Sequence, residues 1–442
     1  MATVKPFRGI LYDTAKIGDY AQVTTPPYDV ISKEAQAAFH ARHPHNFIRL
    51  TLGQANPDDD ARNNPHTRSA AFFQRWLADG VLRRDDRPAF YLKAITYTHD
   101  GASVTRFGLM ALVGVEPFER RIILPHERTF SKVRSERLEL MKATRCNYCP
   151  IFSLYPDDGS VLAALEKAID GTDPIVAFND DQGHRHRLWR ITDPTLHQQV
   201  ADAIQDKRLF IADGHHRYET ALNYREHLRQ TDAAFDDRHP ANFVMMYLCS
   251  MGDPGLIILP AHRLLKAVDQ RQLVQALETA RECFDVTPFA FSANDRQAVE
   301  KAFLGALESG AENQRIGVYG HRQAAFYLLT LKPGVMDRRF AATLAPELRT
   351  LDVTVLTQLI FMQILGFDQA RLDNEQLIGY ASTAADAIGA IDDGSFEVAF
   401  LLNPTRIEQV QAVAQEGLVM PRKSTYFYPK VKSGLVMNAL FE

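Results

Sequence analysis

Asp213, His215, His216 and Arg217 crowd around a single glycine, Gly214, in the segment RLFIADGHHRYETAL at residues 208–222. Each residue type offers something different. Arg217 can clamp phosphate oxygens through its planar fork, and His216 can donate a hydrogen bond or move a proton near neutral pH. Asp213 can act as a base, bind magnesium or simply cap a helix. The element that must position them is a short apolar run, Leu209 to Ala212, followed by a glycine turn and a helix facing inward through Tyr218, Ala221 and Leu222. A helix N-terminus in front of a strand directs backbone N–H groups at an anion, so phosphate handling is the expected chemistry, with Gly214, His215 and Arg217 as phosphate contacts. A metal reading stays open through His215 and Glu219, four apart on one helical face, with Asp213 and Glu219 as candidate magnesium ligands.

Three further segments carry chemistry-bearing residues. LPHERTFSKVR, residues 124–134, gathers His126, Arg128 and Lys132 on a loop entering a helix, which reads as an anion site or a solvated helix start. Arg422 to Lys430 alternates cations and hydroxyls with aromatics, so Lys423 is a candidate phosphate contact on a lid, and a packed C-terminal strand is the alternative. In TTPPYDVI, Asp29 reads as either a turn former or a second site carboxylate. His43, His45 and Arg49 read as ordinary structural residues. Cys146 and Cys149 form a lone CxxC with neither a second pair nor a histidine at zinc spacing.

The 442 residues, 46% hydrophobic, suffice for a sizeable core and two or three domains. Net charge is −4 with Lys and Arg scattered among acids, which disfavours a nucleic-acid partner. No run reaches the 18 or so apolar residues that span a bilayer, so no membrane role is expected. Four cysteines fit a reducing compartment, and the expected location is cytoplasmic. The pattern predicts a strand at Gln22 to Thr25, a helix after Ser32, a helix through Ala70, Phe73, Trp76 and Leu77, and a hairpin turning at His99-Asp100-Gly101. After residue 265 helical patterns alternate with strand patterns. The expected fold is therefore mixed α/β (α+β, mixed sheets), with a first domain at 1–265 that contains an inserted hairpin and carries the DGHHR motif, and a second mixed α/β domain at 266–442.

Several of these segments, among them PFRGILYD, TTPPYDVIS, VEPFERRIILPHERTFSKVRSERLELMKATRCNYCPIFSLY, LFIADGHHRYETALNY and MPRKSTYFYPK, resemble the bacterial domain of unknown function 1015 (DUF1015) family from end to end. More loosely, ADGHHRYETA is similar to the G-x-H-R-x-x-A signature of the ParB/sulfiredoxin superfamily, whose free serine kinase branch begins the motif Asp-Gly and ends it His-Arg. The sulfiredoxin cysteine is replaced by His215, and the DNA-binding helix-turn-helix of partition proteins is absent. The resemblance implies a ParB/sulfiredoxin-like first domain and a nucleotide-dependent phosphotransferase using ATP or ADP and Mg2+ on a small hydroxyl-bearing metabolite, serine first. Asp213, His216 and Asp29 would then be catalytic. Two alternatives stand beside it: a non-catalytic nucleotide or phosphate sensor, and a metal-dependent hydrolase built on His215, His216 and Glu219. Partners are a small-molecule substrate and a nucleotide, with room for a homo-oligomer.

Overall fold

The computed structural model describes residues 1–127, 131–266, 268–310, 313–374 and 376–441. The chain is mixed α/β and groups into two compact units. The first comprises residues 1–125, 129–257 and the tail 429–442; the second comprises 126–128 and 258–428. Against the expected division at 265, the first unit thus takes back the last residues of the chain.

The first unit is built on a nine-stranded mixed sheet. Its order runs Ile123–Leu124, Leu209–Asp213, Ile151–Tyr155, Phe243–Ser250, Ala102–Gly114, Phe90–His99, Arg185–Ile191 and Val176–Asn179, with Val4–Lys5 also paired to Ala102–Gly114. The central hairpin forms as the alternation predicts. Its turn places Asp100 and Gly101 at φ 49° and 76°, the left-handed pair that matches the twist of two antiparallel strands. Leu92, Leu109, Ala111, Val113, Ile151, Leu209, Ile211, Met246 and Leu248 make the core on one face, against Val200, Ile204, Tyr218 and Ala221 from two helices.

Near the N-terminus the helix Lys33–Arg42 starts at Ser32, whose hydroxyl accepts from the Ala35 amide at 3.2 Å. Helix Pro65–Ala78 starts at Asn64 with a reciprocal capping box and buries Phe73 and Trp76. The strand expected at Gln22 to Thr25 is overturned. Residues Tyr20–Val23 form a helical turn capped by the Asp19 side chain, and the prolines that forbid helix lie just beyond it. Local apolar character cannot separate these outcomes over four residues, and the cap decides.

The second unit holds a six-stranded sheet in the order Phe284–Ala290, Ala325–Leu331, Arg315–Gly320, Val398–Leu402, His262–Leu265 and Ile378–Ala381. Helices Arg296–Glu308 and Ala384–Asp392 bury Phe303, Leu307, Ile388 and Ile391 against it. The apolar run beginning at Leu351 is helical as expected, but it widens into a π-helix over Leu356–Ile364. Among the described residues no helix is long and apolar enough to cross a membrane.

Candidate functional site

The strand Leu209–Asp213 and the helix His215–Thr231 meet at Gly214, as the sequence predicts. Strict alternation would send Asp213 to the same core face as Leu209 and Ile211. A bulge between Ile211 and Asp213, opposite Ser153 and Phe152, breaks that register at the end of the strand and re-aims the carboxylate. Gly214 sits at φ 99°, where a side chain is strained, and a Cβ there would meet the Arg217 guanidinium at 2.8 Å. The glycine therefore both turns the chain and leaves the room in which Arg217 lies. Below it, the Tyr218 hydroxyl donates to the Glu116 carbonyl at 2.8 Å and stacks on Phe118, anchoring the first turn of the helix.

Asp213 is the hub. One carboxylate oxygen accepts from Arg217 and the other from Lys430 of the C-terminal tail. Arg217 also donates to the Pro150 carbonyl. All three side chains are mostly buried, at 13%, 11% and 16% exposure for Asp213, Arg217 and Lys430. Burial alone would raise the Asp213 carboxyl, but Lys430 and Arg217 outweigh it and hold the group well below the ordinary carboxylate range. Asp213 is thus permanently ionised at neutral pH and a weak base. Two cations thus meet on the Asp213 carboxylate.

Arg217 also lines a cleft with a cavity volume of about 50 Å3, together with Tyr28, Thr51, Arg137, Cys149 and Thr220. Ile151, Leu140 and Val244 give the cleft an apolar side. Arg137, from the helix Ser131–Thr144, lies 4.3 Å over the Tyr28 ring and donates to the Thr51 carbonyl at 2.8 Å and to Glu136. Burial would raise Glu136, but hydrogen bonds from His66 and Arg137 hold it at about 2. Burial pushes the Tyr28 hydroxyl up, against the pull of Arg217 and Arg137. Asp29, exposed in the single turn Tyr28–Val30, is among the charges acting on Arg217. Cys146 and Cys149 both line the cleft, and Cys146 is buried with its thiol pushed up by burial.

The structure brings together Asp213, Gly214, His215 and Arg217, with Asp29 in electrostatic reach of Arg217. His216 and Glu219 follow on the same helix. Two other predicted phosphate contacts belong to the second unit. His126 is fully buried there, with Nε2 3.1 Å from the Thr425 hydroxyl, and Lys423 lies 5.9 Å over the Tyr380 ring. Arg128 and the side chain of Lys132 lie outside the described residues. Sequence reasoning missed Lys430 as a partner of Asp213, although it closes the segment singled out for Lys423, and it missed Arg137 and Tyr28.

A family model described as "Protein of unknown function (DUF1015)" matches residues 4–354. The chain belongs to this family. No curated protein matches it. Among solved structures, a conserved hypothetical protein from Pyrococcus furiosus is 14% identical, with 73% of this chain and 92% of the other covered at a TM-score of 0.33. A free serine kinase in complex with AMP is 14% identical over 72% of this chain and 86% of its own, at a TM-score of 0.33. SbnI with C-terminal truncation, from Staphylococcus aureus, is 11% identical over 73% and 84%, at 0.35. These neighbours include nucleotide complexes at distant similarity, and the family itself carries no assigned activity.

Proposed function

We propose that the first unit binds the phosphates of a nucleotide at the Asp213-Arg217-Lys430 cluster and transfers a phosphoryl group to a small hydroxyl-bearing metabolite, with serine as the first substrate to test. One observation carries the reading: two mostly buried cations converge on a single carboxylate at the N-terminus of a 17-residue helix, and one of them lines a cleft. Buried cations at a helix N-terminus, in surroundings where charge interactions are weakly screened, favour an anion. The residues fit a phosphate group well. They fit magnesium less well at Asp213, because Arg217 and Lys430 already engage both of its oxygens.

A bound nucleotide supplies the transferable phosphoryl group. The chain's contribution is positioning and charge neutralisation, which dominate this chemistry. Arg217 and Lys430 hold phosphate oxygens, and Asp213 keeps both cations in place. His216, one residue into the helix, is assigned to stabilising the transferred group. The acceptor hydroxyl must lose a proton, and the exposed Asp29 is assigned that base role because Asp213 is too weak a base for it. The four cysteines are all unpaired thiols, in keeping with a cytoplasmic setting.

The second reading, a nucleotide sensor without turnover, is favoured by the same weak basicity of Asp213. Turnover separates the two. Full-length protein with ATP or ADP, magnesium and L-serine should yield phosphoserine, and R217A should abolish it. If no phosphoserine forms while nucleotide still raises Tm, the protein is a sensor or acts on another acceptor.

A further inference from the structure

Away from the Asp213 cleft, the first unit holds a second carboxylate hub. Asp180 follows the strand Val176–Asn179 and opens the turn to Gly183, and its Oδ1 accepts from the backbone amides of Gln182 and His184, both at 3.0 Å. That fixes the carboxylate and leaves Oδ2 for side chains. His186 Nε2 lies 3.0 Å from Oδ2 and His184 Nδ1 lies 3.6 Å from it. The ligand atoms of all three residues fall within 4.8 Å of one another, and the side chains are 4%, 7% and 1% exposed for Asp180, His184 and His186. His184 and His186 are two apart entering the strand Arg185–Ile191, the period that puts both on one face of a sheet.

The spacing suits a metal ion. With metal–nitrogen bonds of about 2.0–2.1 Å, the edge of a tetrahedral ligand set is about 3.3 Å, and the two observed separations bracket it. Two imidazoles and one carboxylate form a borderline ligand set that favours zinc-like ions over magnesium or calcium. A second observation comes from the neighbouring strand. Lys93, opposite Leu188 in the register and therefore on the same face as His186, is 1% exposed, and its Nζ has no hydrogen-bond partner among the described residues. The charges acting on it are Arg106, Lys432 and Asp180, and it acts in turn on His186. A buried nitrogen without a partner beside three convergent ligands is a candidate for a fourth position.

We propose that Asp180, His184 and His186 form a binding site for one divalent transition-metal ion of the zinc class. One feature opposes occupancy and provides the test: Lys432 Nζ lies 3.3 Å from the same Asp180 Oδ2 and must move aside. Lys432 thus acts as an internal competitor that weakens the site.

The experiment uses full-length protein stripped with chelator, titrated with Zn2+ alone and with Co2+ alone, in the absence of nucleotide. The expected result is one ion per chain, with cobalt giving the intense visible absorption of a four-coordinate site. H184A and H186A should each weaken binding on the order of 100-fold, while K432M, which leaves every ligand intact, should tighten it by roughly 10-fold. If the histidine variants do not fold by circular dichroism, K432M and the cobalt spectrum still decide. Absence of stoichiometric uptake by both wild type and K432M would overturn the proposal, leaving Asp180 as a hydrogen-bond hub. Uptake unchanged in folded H184A or H186A would overturn it too. Neither result bears on nucleotide binding.

Discussion

Asp213 and Asp180 are two versions of one arrangement. Each is a mostly buried carboxylate at the end of a strand in the first unit, and each takes a lysine from the same tail, Lys430 for Asp213 and Lys432 for Asp180. The remaining partners differ. Asp213 is completed by a guanidinium, which is always cationic and bears no lone pair for a metal, so the cluster is suited to anions. Asp180 is completed by two imidazoles, which are metal ligands when neutral, so the same carboxylate-lysine pair is suited to a cation. Position adds to chemistry, since Arg217 lines a cleft and the Asp180 set is almost wholly buried. In the two proposals, what surrounds each carboxylate, more than the carboxylate itself, sets which ligand it would serve.

Arg217 separates the two hubs most sharply. R217A removes one cation and its bonds to Asp213 and Pro150, and should cost about 3 kcal/mol of stability, with nucleotide affinity falling on the order of 100-fold. Chemical denaturation and calorimetric titration measure the two effects. A fully stable R217A with unchanged affinity would remove the distinction between the hubs.

The tail lysines give a crossed test. K430A should lower nucleotide affinity by about 10-fold, or about 1.4 kcal/mol, without altering zinc binding, whereas K432M should leave nucleotide affinity unchanged. D213N sharpens the account differently. Losing the carboxylate charge removes the Asp213 contribution from both Arg217 and Lys430, so the variant should be less stable than wild type yet bind ADP more tightly, by about 3- to 10-fold. If Asp213 contacts the ligand favourably, affinity falls instead.

The smallest effect concerns the second unit, which serves as a control. Burial raises Asp352 to about 7, against the pull of Asn403 and Arg406. A carboxyl whose folded pKa lies above its unfolded value keeps its proton longer in the native state, so its contribution falls as pH rises from about 4 to about 7 and is flat above. D352N should abolish that slope, which amounts to roughly 1–2 kcal/mol once partial solvent contact is allowed for. Denaturation midpoints across this range would measure it, and nucleotide affinity should not follow it.

The strand-glycine-helix corner, the hairpin at Asp100-Gly101 and the alternating elements of the second unit were legible because each rests on local periodicity and turn chemistry. The convergence on each carboxylate was far less legible. Lys430 lies 217 residues from Asp213, and nothing in the alternation of Arg422 to Lys430 reveals that Lys423 faces Tyr380 in one unit while Lys430 enters the other. The bulge that re-aims Asp213 is equally invisible to a two-residue period. Asp180, His184 and His186 do form a compact Asp-x-x-x-His-x-His pattern, which an Asp/Gly-rich turn obscured. His126, read as an anion contact from its charged neighbours, is instead a buried partner of Thr425.

The central claim is that the Asp213-Arg217-Lys430 cluster recognises phosphate. Its most direct test is calorimetric titration of wild type and R217A with ADP and with adenosine, which differ only in the diphosphate. The account predicts that wild type binds ADP at least about 100-fold more tightly than adenosine, about 2.7 kcal/mol, and that R217A loses most of that difference. Equal binding of the two ligands by wild type, or a preference for ADP that survives intact in R217A, would contradict it.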